Sequence, residues 1–376
     1  MINTNYKVSI ITSVYNGAAT IEQTIQSVLN QTYRNIEYIV IDGKSTDGTQ
    51  QVIEKYKDKI AYYVSEKDCG LYYAMNKGIE KATGDIVGII NSDDWYADDA
   101  VQVVVDCFKQ NDLDLVYGKI DSISSDGIEK VCKISPLENM WYQMTIPHPS
   151  TFIRRSVYSK FGEFDTRYKL AADYELLLRF YTNHIRIKFV DKVIAHFRIG
   201  GFSTVKRYDL MNEGYTISMS YIGKCPYKDK MLPKIKETYE WSCFEEKLHK
   251  KEKFFYELLC KYFNSKIGDI IIFGTGTWGE RIYKALSKAD VHIIAFSDND
   301  SVKWGTRFCG IDVIPPDKLK NMDVYVLIAV KEHGDEIQEQ FKGMENHKLK
   351  FVAINELKET YGVLNSDNFQ ANAGDI

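Results

Sequence analysis

Two carboxylates, Asp93 and Asp94, follow the apolar run at residues 86–90. That run reads as a central, buried strand of a parallel sheet. Open α/β sheets bind ligands just beyond the carboxyl ends of such strands. A carboxylate pair there suits a hard divalent cation, Mg²⁺ or Mn²⁺, which takes one or two carboxylates and completes its shell with phosphate oxygens. The plainer alternative is a solvated acidic turn ahead of the helix that starts near Asp98. The other strand ends are polar too. The first closes in Ser13-Val14-Tyr15-Asn16-Gly17, where Tyr15 can stack on a base and the small residues let backbone approach it. The second closes in Asp42 to Thr49. The Asp42 carboxylate can accept the imide N–H of a uracil or an edge hydrogen of a guanine, while Ser45 to Asp47 suit a turn and an N-cap. Asp68 precedes a glycine at the mouth of a helix, where it can cap that helix or reach a ribose or base.

These residues need strands and helices in alternation to carry them, and the first 120 residues supply the pattern. Residues 7–14, 36–41, 60–64, 86–90 and 113–117 are short apolar or β-branched runs that read as strands. Between them, Ala18, Ile21, Ile25, Val28 and Leu29 recur at helical spacing, as do Val52, Ile53 and Tyr56. Helices are also expected over 71–82 and 100–108. Strand–helix alternation implies a mainly parallel, three-layer α/β sheet. Met75 reads as core.

Composition narrows the class. The chain has 376 residues, 44% hydrophobic and 27% charged, enough for two domains with cores that need no staples. A net charge of −4 gives no global pull toward nucleic acid. Seven scattered cysteines without a C-x-x-C pair fit reduced thiols in a cytoplasm. No signal peptide or membrane-spanning run is expected.

The motifs taken together resemble family 2 glycosyltransferases of the GT-A fold. The resemblance rests on Val8 to Gly17, Ile39 to Thr49, Asn91-Ser-Asp-Asp94, His148-Pro-Ser-Thr-Phe-Ile-Arg154 and Ala171-Ala-Asp173-Tyr-Glu-Leu-Leu-Leu-Arg179, ending near Gly200-Gly-Phe-Ser203. It implies transfer of a sugar from a nucleotide diphosphate sugar, a UDP-sugar in the leading reading, with inversion at the anomeric carbon. Carried over by position, Asp42 and Tyr15 hold the base, Asp68 lies near the nucleoside, Asp93 and Asp94 form the metal motif with Asp94 the direct ligand, and Asp173 is the general base. Relatives often read Tyr-Asp-Ala-Met-Asn where this chain has Tyr72-Tyr73-Ala74-Met75-Asn76, so no acid stands at position 73. Ala172 replaces the first of a commoner pair of acids, leaving Asp173 as the carboxylate of that motif, and Glu175 should point elsewhere. The chemistry asks for these groups: an attacking hydroxyl must lose its proton to a base, and a cation can neutralise the leaving diphosphate. His148, between two prolines, is a candidate for acceptor or phosphate contact, and His196 for a third metal contact. Gly200-Gly201 reads as a hinge or a turn. The acceptor implied is a glycan or a lipid-linked sugar in surface polysaccharide assembly.

The rest of the chain reads as three further segments after a catalytic domain at 1–222. Residues 223–265 hold aromatics at helical spacing among lysines, eleven lysines against seven acids between 224 and 266. They read as an amphipathic helical connector with packing the first expectation, and contact with an anionic inner-membrane face the second. Residues 266–358 read as a smaller Rossmann-like α/β domain. A strand at 270–273 is followed by Gly274-Thr-Gly276-Thr-Trp-Gly279, a helix, and a strand ending at Asp298, 22 residues beyond Gly276. That spacing suits a nucleotide or NAD, with Asp298 on ribose hydroxyls. Residues 359–376 read as a flexible tail. Two rivals to transferase activity follow: a nucleotide-sugar oxidoreductase or epimerase run by the C-terminal fold, and a non-catalytic sugar-nucleotide sensor. No Tyr-x-x-x-Lys pair follows the glycine motif, against the first; Asp93, Asp94 and Asp173 together argue against the second.

Overall fold

The structure is a computed structural model that describes residues 5–364, except 125–126, 128, 133, 201–205, 252, 290, 345 and 347. Gly201 of the expected hinge, and residues 365–376 of the expected tail, lie outside the described residues. The chain forms two compact units, residues 1–238 and 239–376.

In the first unit, β1 (Val8–Val14), α1 (Ile21–Leu29), β2 (Ile36–Asp42), α2 (Thr49–Glu54), β3 (Tyr62–Ser65), α3 (Leu71–Lys81) and β4 (Ile86–Ile89) alternate. They build the parallel half of the sheet, in the order β3-β2-β1-β4. Beyond β4 the sheet is mixed. β5 (Trp95–Tyr96), α4 (Ala100–Gln110), β6 (Leu115–Ile123), β7 (Glu129–Val131), β8 (Thr151–Arg154), α5 (Arg155–Phe161), α6 (Ala172–Thr182) and β9 (Ile187–Arg198) follow. β8 runs antiparallel between β4 and β6, and β9 runs parallel to β6 and antiparallel to β5. The sheet is therefore mainly parallel only in the half that the strand–helix alternation describes; β8 leads straight into α5 and joins the sheet without a crossover helix before it.

Alternation within β1 sorts side chains to two cores. Ile11 packs with Met75 and Ile79 of α3 and with Leu176, Leu177 and Phe180 of α6, whereas Val8, Ile10 and Val14 pack with Ile21 and Ile25 of α1 and Val104 and Val105 of α4. This is the three-layer arrangement, and Met75 is 1% exposed. A Cβ on Gly78 would run into the Ile11 side chain, so α3 sits directly against β1. The helix α7 (Arg207–Tyr221) packs on the α6 face through Ile217.

The unit boundary falls within α8 (Lys228–Lys250). After α9 (Phe254–Phe263), the second unit runs β10 (Ile270–Phe273), α10 (Thr277–Leu286), β11 (Ile293–Ser297), β12 (Arg307–Phe308), β13 (Ile311–Ile314), β14 (Tyr325–Ile328), α11 (Gly334–Lys342), β15 (Lys350–Ala353) and α12 (Ile354–Leu364). Its sheet order is β12-β13-β11-β10-β14-β15, with only the short β12 antiparallel. The strand order reverses at β10, where chain order first leads to β11 and then returns to β14 on the other side. That is a doubly wound sheet with its switch point at the carboxyl end of β10. Ile270 and Ile272 face the core made by α9, α10 and α12, and Ile271 and Phe273 face the core made with α11.

Candidate active site

A cavity of about 780 Å³ opens at the carboxyl ends of the parallel strands of the first unit. Ser13, Tyr15, Asn16, Asp68, Asp93, His148 and Asp173 all line it. Three residues expected there do not: Asp42, Asp94 and His196.

β1 and β2 enter the site as a stitched pair of loops. The Asn16 N–H donates to Ser45 Oγ at 2.8 Å, and Asn16 Oδ1 accepts from the Thr46 N–H at 2.9 Å. Asn16 holds a positive φ of 52°, a conformation asparagine tolerates better than most residues. Tyr15 is left 68% exposed at the rim. The Ser13 hydroxyl is buried and has no hydrogen-bond partner. Asp42 is fully buried, and its carboxylate accepts from the Ser45 N–H at 3.1 Å, Ser45 Oγ at 2.5 Å and Ser65 Oγ at 2.5 Å. It shapes the loop floor instead of facing the cavity. Asp68 Oδ1 accepts from the Gly70 N–H at 2.9 Å at the mouth of α3.

The acidic pair sits where β4 ends. Asp93 faces the cavity, and burial pushes its carboxyl up, with the Arg198 charge opposing. Asp94 is 1% exposed. Burial and the neighbouring Asp93 push its carboxyl up to about 8. Asp94 Oδ1 accepts from the Arg198 N–H at 3.0 Å, while Oδ2 is buried without a partner. Arg198 also donates from Nε to the Asp93 carbonyl at 3.2 Å and stacks over Trp95 at 5.1 Å. Among the described residues no group of three or more His, Cys, Asp or Glu side chains gathers as a metal site. An orphaned buried carboxylate oxygen beside a second desolvated acid fits a divalent cation whose remaining ligands come from a diphosphate. His196 is not part of that set. It stacks on Trp95 at 5.2 Å, and its Nδ1 lies 3.5 Å from Asp121 Oδ2.

Asp173 is the second residue of α6. Its Oδ1 accepts from the Tyr174 N–H at 2.9 Å and lies 3.1 Å from the Tyr72 hydroxyl, whose one proton is shared with the Leu170 carbonyl at 2.9 Å. Burial pushes its carboxyl up, against the opposing influence of His148 and those two donors. His148 lines the same cavity, edge-on to Phe164, and burial pushes its imidazole down. The site therefore holds a desolvated carboxylate beside an imidazole biased toward its neutral form. Glu175 points away, bound to Arg179 at 3.0 Å and to the Tyr221 hydroxyl at 2.5 Å.

Sequence reasoning missed several contributors. Tyr72 holds Asp173, Arg198 holds the acidic pair, and Lys169 lines the cavity with its ammonium 5.3 Å over the Tyr73 ring. Tyr72 stood within a quoted motif; the partners of Arg198 are 104 and 105 residues away and leave no local signal.

In the second unit, Gly274 has φ of +106°, and a Cβ on Gly279 would collide with the Gly274 carbonyl oxygen, so α10 packs tightly against the turn. A Cβ on Gly276 would meet nothing within 4 Å. Asp298 turns inward on the same loop: Oδ2 accepts from the Thr275 N–H at 3.0 Å, Thr275 Oγ1 at 2.5 Å and Lys303 Nζ at 3.1 Å, and Oδ1 accepts from the Asp300 N–H at 2.9 Å.

Comparison with known proteins bears on both units. The family model described as Glycosyl transferase family 2 matches residues 9–212, and one described as C2185-like, N-terminal, matches residues 266–352. An uncharacterized glycosyltransferase from Mycobacterium tuberculosis is 32% identical over 177 residues, 46% of this chain and 68% of the relative. A PGL/p-HBAD biosynthesis glycosyltransferase from Mycobacterium bovis is 27% identical over 202 residues, 52% of this chain and 78% of the relative. Among solved structures, S. aureus TarS in complex with UDP-GlcNAc superposes with a TM-score of 0.54 at 20% identity, covering 66% of this chain and 77% of that one. That likeness speaks to the fold, and it agrees with a GT-A arrangement.

Proposed function

The chain belongs to Glycosyl transferase family 2, and we propose that it is an inverting, cation-assisted enzyme that moves a sugar from a nucleotide diphosphate sugar to a hydroxyl of a glycan or lipid-linked acceptor. One observation carries this reading: Asp93 and Asp173 are desolvated acids lining a single cavity, with the orphaned Asp94 oxygen beside the first. Tyr15 and the stitched β1 and β2 loops receive the nucleoside, Tyr15 by stacking, with Ser13 and Asp68 offering polar contacts. Asp42 supports that loop from beneath. Asp93 and Asp94 hold Mn²⁺ or Mg²⁺, which when bound neutralises charge on the departing diphosphate. Asp173 accepts the proton of the attacking hydroxyl, and its raised pKa makes it a better proton acceptor than an ordinary aspartate. His148 sits beside it, placed to contact the acceptor or a phosphate. The family resemblance suggests uracil as the donor base and surface polysaccharide assembly as the acceptor's place, and the lysine- and aromatic-rich segment at 223–265 suggests action at the inner face of a membrane. Among the described residues no helix is long and apolar enough to cross one.

For the second unit the reading is a ligand carrying a diphosphate, whether nucleotide, nucleotide sugar or NAD, laid against Gly276 at the start of α10. The space above Gly276 supports it. The inward turn of Asp298 speaks against its serving ribose.

The test is calorimetry of the full chain with UDP-, GDP- and dTDP-sugars, with and without Mn²⁺, followed by assay of nucleoside diphosphate release. Saturable binding of one donor class, strengthened by Mn²⁺, is expected. Binding that is indifferent to the cation would overturn the metal assignment, and tight binding without transfer to any acceptor would favour the sensor reading.

A further inference from the structure

The loop that delivers Asp173 has no cap of its own. α6 starts at Ala172, and the preceding Ala171 has no side chain able to cap it. Glu213, on α7, satisfies that loop from a distance. Its Oε1 accepts from the Lys169 N–H at 2.9 Å, and its Oε2 accepts from the Leu170 N–H at 2.8 Å and the Ala171 N–H at 2.9 Å. One carboxylate thus takes three consecutive backbone donors of the loop that leads into α6. Such bonds are charge-assisted and short, and the helix dipole favours an anion there. Its two carboxylate oxygens are thus directed at peptide N–H groups. Tyr72 closes the arrangement from the other side. Its hydroxyl lies 2.9 Å from the Leu170 carbonyl oxygen and 3.1 Å from Asp173 Oδ1. The backbone held by Glu213 and the carboxylate held by Tyr72 are therefore two points of one short segment, residues 169–173.

We propose that Glu213 is a positioning residue for the transfer reaction: it clamps the Lys169–Ala171 backbone so that Asp173 presents its carboxylate to the acceptor hydroxyl. This rests on Asp173 being the base. A clamp of this kind is expected to act on the chemical step and not on the donor, because the backbone it holds, residues 169–171, leads directly into Asp173. Releasing it lets the base move and hydrate. A misplacement on the order of 1 Å costs about 10²-fold in rate, and hydration lowers the pKa of a carboxylate raised by burial.

Three variants of the full chain test it. Glu213→Ala is expected to lower kcat by roughly 10–100-fold with donor affinity by calorimetry within about twofold. The acidic limb of its kcat–pH profile should move to lower pH. Glu213→Gln keeps the shape with a single acceptor oxygen and should fall between Ala and the native residue. The third variant combines Glu213→Ala with Asp173→Asn. If Glu213 works through Asp173, the double variant is no slower than Asp173→Asn alone, since sites that act as a unit are not additive. Equal multiplicative loss in both backgrounds would overturn the proposal, as would a kcat for Glu213→Ala within threefold of native. Parallel loss of donor affinity and kcat in both Ala and Gln variants would mark Glu213 as a plain structural support and also overturn it. If Asp173→Asn itself retains native transfer, the failure belongs to the base assignment and not to the clamp.

Discussion

Both units end parallel strands in glycine-bearing loops and acids, yet the acids live in opposite conditions. In the first unit, Asp93, Asp94 and Asp173 are all pushed up by burial, and Asp94 keeps an oxygen with no partner. In the second, burial also works against Asp298, but hydrogen bonds from Thr275, Asp300 and Lys303 outweigh it and bring the carboxyl down to about 2. A protein tolerates desolvated, under-satisfied carboxylates when a ligand completes them, because leaving them unpaired is costly. A carboxylate whose lone pairs are already filled is a fastener. On the proposed reading, the contrast separates a site that takes up charge and protons from a loop whose acid serves its own architecture.

The largest expected effect falls on the waiting acids. Asp173→Asn should lower turnover by about 10²–10⁴-fold while donor affinity stays native, measured by product release alongside calorimetry. Transfer within threefold of native would place the base elsewhere. The native profile sharpens the same point: because the Asp173 carboxyl is raised, the base is protonated at higher pH than a free aspartate. The acidic limb of kcat should therefore lie above the ordinary aspartate value of 3.8. Next in size, Asp94→Ala should abolish the gain in donor affinity given by Mn²⁺, a loss of about tenfold or more, with each tenfold worth about 1.4 kcal/mol. A variant that kept the full gain would remove Asp94 from the metal set.

The fastened loop should respond in stability and not in transfer. Gly279→Ala puts a methyl against the Gly274 carbonyl oxygen, and a cost of roughly 1–3 kcal/mol is expected. Gly276→Ala meets open space and should stay within about 0.5 kcal/mol. Equal melting temperatures for the two variants would contradict the tight seating of α10. The smallest effect concerns acid. The folded Asp298 pKa near 2 lies below its unfolded value of about 3.8, so its contribution is complete above pH 4 and is lost as pH falls through 2. Native protein should lose roughly 1–2 kcal/mol more than Asp298→Asn across that window, after allowance for solvent screening. Parallel acid unfolding curves would show that the loop bonds carry no net stability.

How much of this was legible beforehand depended on the range of the interaction. The strand ends could be read because an apolar run followed by polar residues is a local signal, and Ser13, Tyr15, Asn16, Asp68 and Asp93 do line the cavity. Asp173 came from the family resemblance and His148 from its place between two prolines, and both line it as well. Asp42 was assigned to the base although the Asp42-x-x-Ser45 spacing is also that of a local turn; a buried carboxylate looks the same in sequence whether it faces a ligand or a serine. Asp298 poses the same question, since its distance from Gly276 carries no information about which way the side chain turns. The antiparallel half of the sheet was missed because strand direction is decided by partners far along the chain. Glu213 was invisible for that reason: its three donors lie 42 to 44 residues away.

Tyr72 and Tyr73 are neighbours on α3, seated against β1 where Gly78 leaves no room for a side chain. The first is 6% exposed and fastened to Asp173; the second is 40% exposed beside Lys169 at the cavity. One helix therefore offers a buried position and an exposed one, side by side. A substitution at 72 disturbs the segment that carries Asp173, whereas one at 73 meets solvent and the Lys169 ammonium. The same turn of helix thus couples one ring to the interior and leaves its neighbour to the surface.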